Sequence, residues 1–266
     1  MNTEKAPYEE TIVHLENLLR KKSSDFARLQ REKEDFIYIA SHDLKAPLRK
    51  LSAFSELLSQ KSRDRLDEDS LSYLHRIETT VAGMQSLIDG LSNLSEISAN
   101  VDFTNCDLNL LMNEVLKELQ EIIEEKKAMI SISELPQVEA NSQQIKKVFK
   151  NIILNSLRFQ PAGQTAQVVV DSSILSMAEK ADHDLPIENT YYQIKFADNG
   201  IGFKPEEAVQ IFEPFKRLHG KSAYPGNGLG LAICKKIVDV HQGIFYANGR
   251  ENTGSLFVLI LPQIHE

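Results

Sequence analysis

A glycine-rich stretch, Gly226-Asn227-Gly228-Leu229-Gly230, runs directly into the apolar helical segment from Leu231 to Val238. The N-terminus of a helix carries free backbone N–H groups and the positive end of the helix dipole, so this junction favours a bound phosphate. A lone glycine cluster before a helix is a weak signal of nucleotide binding. Other motifs upstream must support it.

The second motif is Asp198-Asn199-Gly200-Ile201-Gly202, at the end of a predicted strand from Tyr191 to Ala197. We expect Asp198 to accept a hydrogen bond from an exocyclic amine. Gly200 and Gly202 have no side chain and allow the backbone to approach a purine closely. An Asp-Asn-Gly turn is common in proteins and identifies no ligand by itself.

A polar stripe on a predicted helix from Gln143 to Phe159 is the third motif. Asn151, Asn155 and Arg158 recur at helical spacing and share one face of that helix. Amide oxygens suit Mg²⁺, which binds few protein groups together with phosphates, and a guanidinium neutralises phosphate charge. Alone, the stripe is better explained as a solvated helix face, but the three motifs in this order predict a nucleotide pocket.

A histidine far upstream provides a side chain that the pocket could phosphorylate. His42 lies in the stretch Ser41-His42-Asp43-Leu44-Lys45-Ala46-Pro47, on another predicted helix. A neutral imidazole offers the lone pair of one ring nitrogen to an electrophile. A lone histidine on an amphipathic helix is more often a solvated or core residue, and only the nucleotide pocket favours a phosphoacceptor.

Apolar residues recur at intervals of three and four through the first hundred residues. They predict a helix from Ile12 to Leu58, kinked at Pro47, and a second from Leu74 to Leu91. Because a hairpin of two helices has only two apolar stripes, its core is completed most easily when two copies pair as a four-helix bundle. We therefore predict a homodimer, although a coiled coil without any chemistry would explain this region equally well.

Mixed helices and strands are predicted after Val101, in an α+β two-layer sandwich. The acidic segment from Ala178 to Asn189 is predicted to be a long surface loop. Two further helices are predicted from Asp107 to Lys126, capped by Asp107, and from Gln143, opened by Asn141 or Ser142. The other predicted strands are Gln167 to Ser173, Gly243 to Asn248 and Ser255 to Leu261.

Composition excludes several classes of protein. The formal net charge of −8 argues against nucleic-acid binding, which requires clustered Lys and Arg. No apolar run approaches the roughly 20 residues that span a bilayer, so we expect a soluble, cytoplasmic protein without a membrane segment. Cys106 and Cys234 lack metal or redox spacing and are expected to be buried thiols.

Six motifs in order make the chain resemble a sensor histidine kinase of two-component systems over nearly its whole length. The resemblance implies a signalling coiled coil over residues 1–35, a dimerisation and histidine-phosphotransfer hairpin over 36–100, and a Bergerat-type ATP-binding domain over 101–266. The motifs are the H-box around His42, the N-box Asn151 to Asn155, the G1 box Asp198 to Gly202, the F-box Ile211 to Phe215, the G2 box Gly226 to Gly230 and a closing Gly254 to Phe257.

The resemblance also implies roles for single residues and the two ligands ATP and Mg²⁺. It implies Asn155 on Mg²⁺, Asp198 on the adenine amine and Asp43 as an acidic residue that assists His42. Residues from about 203 to 227 would form a mobile lid anchored by Phe212 and Phe215. The phosphoryl group of His42 would pass to an aspartate in the receiver domain of a response regulator.

One departure from the family concerns dephosphorylation. The position one turn after the histidine often carries Thr or Asn, which positions a water molecule, whereas this chain has Ala46. We therefore expect weak phosphatase activity.

Two other functions remain open at this point. The first is an ATPase of the superfamily that includes gyrase and the heat-shock chaperones, which resemble one another in having a glutamate as general base. This chain has Asn151 there, and an amide cannot take a proton from water. The second is a catalytically degenerate dimeric scaffold, against which the complete set of pocket residues argues.

Overall fold

The computed structural model describes residues 6–62, 65–97, 102–218, 224 and 226–265. The chain divides into two compact units, with the division between Glu96 and Ile97. The predicted boundary between residues 100 and 101 lies outside the described residues, as do residues 219–223 and 225 of the predicted lid. Within the described ranges, no helix is long and apolar enough to cross a membrane.

The first unit is a helical hairpin, as predicted. Helix α1 spans Ala6–Ser62 and continues through Pro47, and helix α2 spans Glu68–Glu96. Leu48, Val81 and Ile88 form a small buried cluster between the two helices. A single turn after His42, the Lys45 ammonium lies 3.1 Å from the Asp89 carboxylate of α2. The division predicted at residue 35 falls inside α1 and stays a prediction, as does the kink at Pro47.

Much of the apolar surface of the hairpin is not covered within one chain. Large apolar side chains that are about half exposed or more lie on both helices, which is unusual for a helix pair that is complete by itself. They include Leu44, Leu51, Phe54, Leu58, Ile77 and Met84.

The second unit is an α+β two-layer sandwich. In chain order its elements are β1 Thr104–Asp107, α3 Leu108–Glu118, α4 Gln120–Glu125, β2 Met129–Ile132, β3 Gln137–Ala140, α5 Ser142–Arg158, β4 Gln167–Ile174, α6 Met177–Asp182, β5 Tyr191–Asp198, α7 Gly230–Val240, β6 Ile244–Arg250 and β7 Gly254–Pro262. The main sheet has five strands in the order β2-β4-β5-β7-β6, in which β2 runs parallel to β4 and all other neighbours are antiparallel. Strands β1 and β3 form a separate antiparallel pair.

The core lies between α5 and the main sheet. Ile145, Phe149 and Ile152 of α5 are fully buried, in agreement with the apolar face predicted for this helix. The ring of Phe149 packs 5.6 Å from the ring of Phe196 on β5, measured between centroids. Helix α5 also contacts both α3 and α7, so it is the central helix of its layer.

The helix starts follow the predicted capping chemistry. The Asp107 carboxylate accepts a hydrogen bond of 2.8 Å from the Asn109 N–H and caps α3. Asn141 rather than Ser142 caps α5, because its side-chain oxygen accepts from the Gln144 N–H at 3.0 Å. The four longer strands lie where alternation predicted them, within two residues at each end.

Two local predictions were wrong. The helix predicted from Asp107 to Lys126 is broken at Leu119, which leaves helical geometry with φ −100° and ψ 4° and is buried. The predicted acidic loop contains the short helix α6, because Ser176 and Glu179 satisfy one another's backbone in a capping box. The segment around α6 also contributes Leu175 and Leu185 to a second apolar cluster on the sheet.

Three strands of four residues each were missed: β1, β2 and β3. A segment of four residues is too short to show a clear alternation. Their formation depends on pairing with residues far away in the chain, for example Met129 of β2 beside Gln167 of β4.

Candidate functional site

The carboxylate of Asp198 connects three motifs of the second unit. Its Oδ1 accepts hydrogen bonds from the Gly200 N–H at 2.9 Å and from the Ser255 N–H at 3.1 Å, and its Oδ2 accepts from the Ser156 hydroxyl at 3.2 Å. Burial raises the pKa of Asp198, while these three hydrogen bonds act in the opposite direction. No sequence motif indicates a role for Ser156, and only the fold shows its contact with Asp198.

The glycines of the G1 motif are required by contacts within the protein itself. A Cβ at Gly200 would meet the Phe159 carbonyl oxygen. Gly202 has φ +62°, and a Cβ there would collide with the carbonyl group of Arg250. The approach of this backbone to a purine therefore stays a prediction, whereas the tight packing of the turn is observed.

The first turn of α7 is open to a ligand. Helix α7 begins at Gly230, and within the described part of the chain no side chain caps its first N–H groups. Leu229, just before it, is fully buried, and its N–H donates to the Asn227 side-chain oxygen at 3.1 Å. The amide oxygen of Asn151 lies 3.4 Å from the position that a Cβ at Gly230 would occupy. The N-box and the G2 box are therefore adjacent, as the predicted pocket requires.

Two arginines lie near this glycine loop. The Nη1 atom of Arg158 lies 3.0 Å from the Cβ position of Gly226. Burial, and then the positive charge of Arg217, lower the pKa of Arg158. Nη2 of Arg217 donates to the Tyr224 carbonyl oxygen at 2.6 Å, whereas its Nη1 is buried without a hydrogen-bond partner among the described residues. Arg217 stands two residues after the F-box, but none of the six sequence motifs includes it.

The two aromatic residues of the F-box are held in different ways. The Phe212 ring packs edge-on against the Phe245 ring, with centroids 5.1 Å apart. Half of Phe215 is exposed, and its backbone N–H donates to the Gly228 carbonyl oxygen at 3.0 Å. Phe212 is therefore held by its side chain and Phe215 by its backbone, at the G2 box.

Asn155 is partly buried on α5, one turn after Asn151. Among the described residues there is no cluster of three or more His, Cys, Asp or Glu that could hold a metal ion. Neutral amide oxygens provide only a few ligands, and Mg²⁺ bound to them completes its shell with waters and phosphate oxygens. The donor set therefore fits a magnesium ion that arrives with a nucleotide.

His42 lies in the first unit, on an exposed part of α1. The His42 and Asp43 side chains are each 75% exposed, and Nδ1 of His42 lies 3.3 Å from Oδ1 of Asp43. A neutral ring that donates from Nδ1 to this carboxylate keeps the lone pair of Nε2 for reaction. The side-chain contact that assistance by Asp43 would require is present between these two neighbours on the helix.

Comparisons with known proteins match both units. Residues 32–100 match the family model "His Kinase A (phospho-acceptor) domain", and residues 140–265 match "Histidine kinase-, DNA gyrase B-, and HSP90-like ATPase". Phytochrome-like protein Cph1 of Synechocystis sp. is 33% identical over 254 residues, which cover 92% of this chain and 32% of Cph1. Sensor protein KdpD of Escherichia coli is 29% identical over 259 residues, which cover 94% of this chain and 27% of KdpD. The chain thus spans about a third of the length of these relatives.

Solved structures share the fold at lower sequence identity. Full-length ShkA in complex with AMPPNP aligns with a TM-score of 0.63 and 21% identity, covering 86% of this chain and 45% of ShkA. Histidine kinase ThkA in complex with the response regulator TrrA aligns with a TM-score of 0.56 and 21% identity, covering 89% of this chain and 64% of ThkA.

Proposed function

The chain belongs to the sensor histidine kinase family, and on this basis we propose that it transfers the γ-phosphoryl group of ATP to His42 and then to an aspartate of a response regulator. The observation that carries the proposal is the arrangement around α5. Ser156 of this helix donates to Asp198, and Arg158 lies beside Gly226. One helix thus connects a partly buried carboxylate to a basic, glycine-lined helix start.

This arrangement has complementary groups for both ends of ATP. Oδ2 of Asp198 accepts only the Ser156 hydroxyl among the described residues, which leaves a lone pair for the adenine amino group. The phosphates would bind at the uncapped start of α7, where N–H groups and the helix dipole favour negative charge. Arg158 and Arg217 would contribute positive charge near the glycine loop.

Asn155, with Asn151 one turn before it, would hold Mg²⁺ together with the phosphates. When bound, the ion offsets the charge on the phosphate oxygens. The amides stand on α5, a rigid helix whose opposite face is fixed in the core, so they are well oriented for this role.

The chemistry proposed for His42 is an in-line displacement. The Nε2 lone pair attacks the γ-phosphorus, an N–P bond forms, and the bond from that phosphorus to the β–γ bridging oxygen breaks, so that ADP leaves. Asp43 holds the proton on Nδ1 and keeps the ring oriented during the attack. Because the transition state is loose, the protein mainly positions the reactants and stabilises charge.

We also propose that two copies pair through the hairpin as a four-helix bundle. The exposed apolar side chains on both helices, such as Leu51, Phe54 and Ile77, support it.

A response regulator is the proposed partner of phospho-His42, and the complex of ThkA with TrrA supports this choice. Asn151 disfavours the alternative of a superfamily ATPase, because that position lacks a general base.

The test is phosphate transfer from radiolabelled ATP to the purified chain in the presence of Mg²⁺. We expect label that is stable in base and labile in acid, as for a phosphoramidate. His42→Ala should abolish labelling and keep ATP binding, whereas His75→Ala, at another exposed histidine of the hairpin, should leave both unchanged. Acid-stable label, or label that persists in His42→Ala, would refute the proposal. ATP binding without any label would support a degenerate scaffold.

A further inference from the structure

Tyr224 is held at three points, although it stands in a loop before the G2 box. Its ring lies 5.1 Å from the ring of Phe159, measured between centroids. Its hydroxyl donates to the Gln160 carbonyl oxygen at 3.2 Å, and its own carbonyl oxygen accepts from Nη2 of Arg217 at 2.6 Å. The side chain of Tyr224 therefore binds the end of α5, while its backbone binds a guanidinium.

The other terminal nitrogen of Arg217 has no acceptor among the described residues of the protein. Nη1 is buried and makes no hydrogen bond to any described residue. A buried charged donor without an acceptor is costly, and in native proteins such a group usually has a role or an additional ligand. Arg217 stands two residues after Phe215, whose N–H donates to the Gly228 carbonyl oxygen at 3.0 Å, and the charge of Arg217 acts on Arg158, which lies beside Gly226, so Arg217 lies near the glycine loop.

The guanidinium is planar and rigid, so a fixed position for Nη2 also restricts the direction of Nη1. The Tyr224 carbonyl fixes Nη2. That carbonyl is in turn fixed by two contacts of the Tyr224 side chain, with Phe159 and Gln160. Any residue at position 224 would supply a carbonyl, but only a side chain that makes these contacts holds it in place.

We propose that Tyr224 is a positioning residue for nucleotide binding: it holds the Arg217 guanidinium so that Nη1 donates to the phosphate chain of the bound nucleotide. This inference rests on the proposed function, because it takes the adenine nucleotide as the ligand. Two other roles for Tyr224 would leave a different signature. Direct contact with the base would weaken the binding of all adenine compounds equally, whereas general support of the loop would still weaken ATP binding when Arg217 is absent.

The first experiment measures the binding of ATP, ADP and AMP to Tyr224→Ala and Tyr224→Phe. The alanine variant should weaken ATP binding about tenfold or more, the size expected for losing a charge-assisted hydrogen bond, and should change AMP binding by less than about twofold. The phenylalanine variant keeps the ring contact and loses only the hydroxyl, so its loss for ATP should be about two- to fivefold. An equal loss for all three nucleotides would overturn the proposal.

The second experiment is a double-mutant cycle with Arg217→Ala. If Tyr224 acts through Arg217, neither Tyr224→Ala nor Tyr224→Phe should weaken ATP binding further once Arg217 is gone. Additive losses would overturn the proposal. Should the alanine variant fail to fold, as judged by thermal unfolding, the phenylalanine variant completes the cycle.

The two proposals fail in distinguishable ways. Wild-type protein that never binds ATP would overturn the proposed function. Wild-type protein that binds ATP and becomes labelled on His42, together with Tyr224 variants that bind ATP normally, would overturn only the role of Tyr224.

Discussion

Replacement of Asp198 by asparagine should separate nucleotide recognition from folding. The side chain keeps its size, and its remaining oxygen can accept from the Gly200 and Ser255 N–H groups as Oδ1 does now. The new amide nitrogen takes the place of Oδ2 and donates to the Ser156 hydroxyl, which is able to accept. The turn between β5 and the G1 glycines should therefore survive.

The expected loss of ATP affinity follows from the loss of Oδ2 as a hydrogen-bond acceptor. In the wild type this oxygen has a free lone pair for the adenine amino group, whereas in the variant two N–H donors face one another. A hydrogen bond to a charged group contributes about 1.5–3 kcal/mol, so Kd for ATP should rise about 10- to 100-fold. Isothermal titration calorimetry measures this. Asp171→Asn, at an exposed carboxylate on the neighbouring strand β4, is the matched control and should bind ATP normally.

An analogue without the amino group makes the test specific. Purine riboside triphosphate should bind wild-type protein more weakly than ATP, and Asp198→Asn should weaken its binding far less than that of ATP. Equal losses for both nucleotides would refute the assigned contact, because the effect would then arise from a changed pocket rather than from the amine.

The stability of Asp198→Asn, unlike its ATP affinity, should not fall. Burial raises the pKa of Asp198 in the folded protein above its value in the unfolded chain, so protonation favours folding. The charged carboxylate therefore costs stability as the pH rises through these two pKa values, and the full cost is present at neutral pH. Because asparagine carries no charge, Asp198→Asn should have an equal or higher Tm at neutral pH, and a lower Tm there would contradict this account.

Three other predictions concern catalysis and pH. Asp43→Asn should slow labelling of His42 several-fold at unchanged ATP affinity, since it weakens the contact to Nδ1; unchanged rates would remove Asp43 from the mechanism. Ala46→Thr should increase dephosphorylation of a phosphorylated partner regulator, because its hydroxyl is able to position a water, and no increase would contradict the role given to this position. Burial lowers the pKa of His241 in the folded protein, and its neutral Nε2 accepts a hydrogen bond from the Asn141 N–H. The free energy of unfolding should therefore be highest at pH values above about 6.5, the pKa of histidine in the unfolded chain. Urea unfolding should therefore show lower stability at about pH 5.5 than at neutral pH, and His241→Gln should reduce that difference.

The sequence alone determined the features that depend on neighbouring residues. Asp107 and Asn141 cap helices because their side chains reach N–H groups two or three residues away. The long helices and the four longer strands follow from the periodicity of their apolar residues, and the ordered motifs around His42 and Asp198 identified the family. Each of these signals lies within a short window of the chain.

Only the tertiary structure decided the features that join distant segments. No local pattern marks the break at Leu119, where the backbone leaves helical geometry, and the strand β2 exists because β4 provides a partner. The hydrogen bond from Ser156 to Asp198 joins residues 42 positions apart, and that from Tyr224 to Gln160 joins residues 64 positions apart. No local pattern specifies such contacts, because their energy is gained only when the chain has folded and brought both partners together.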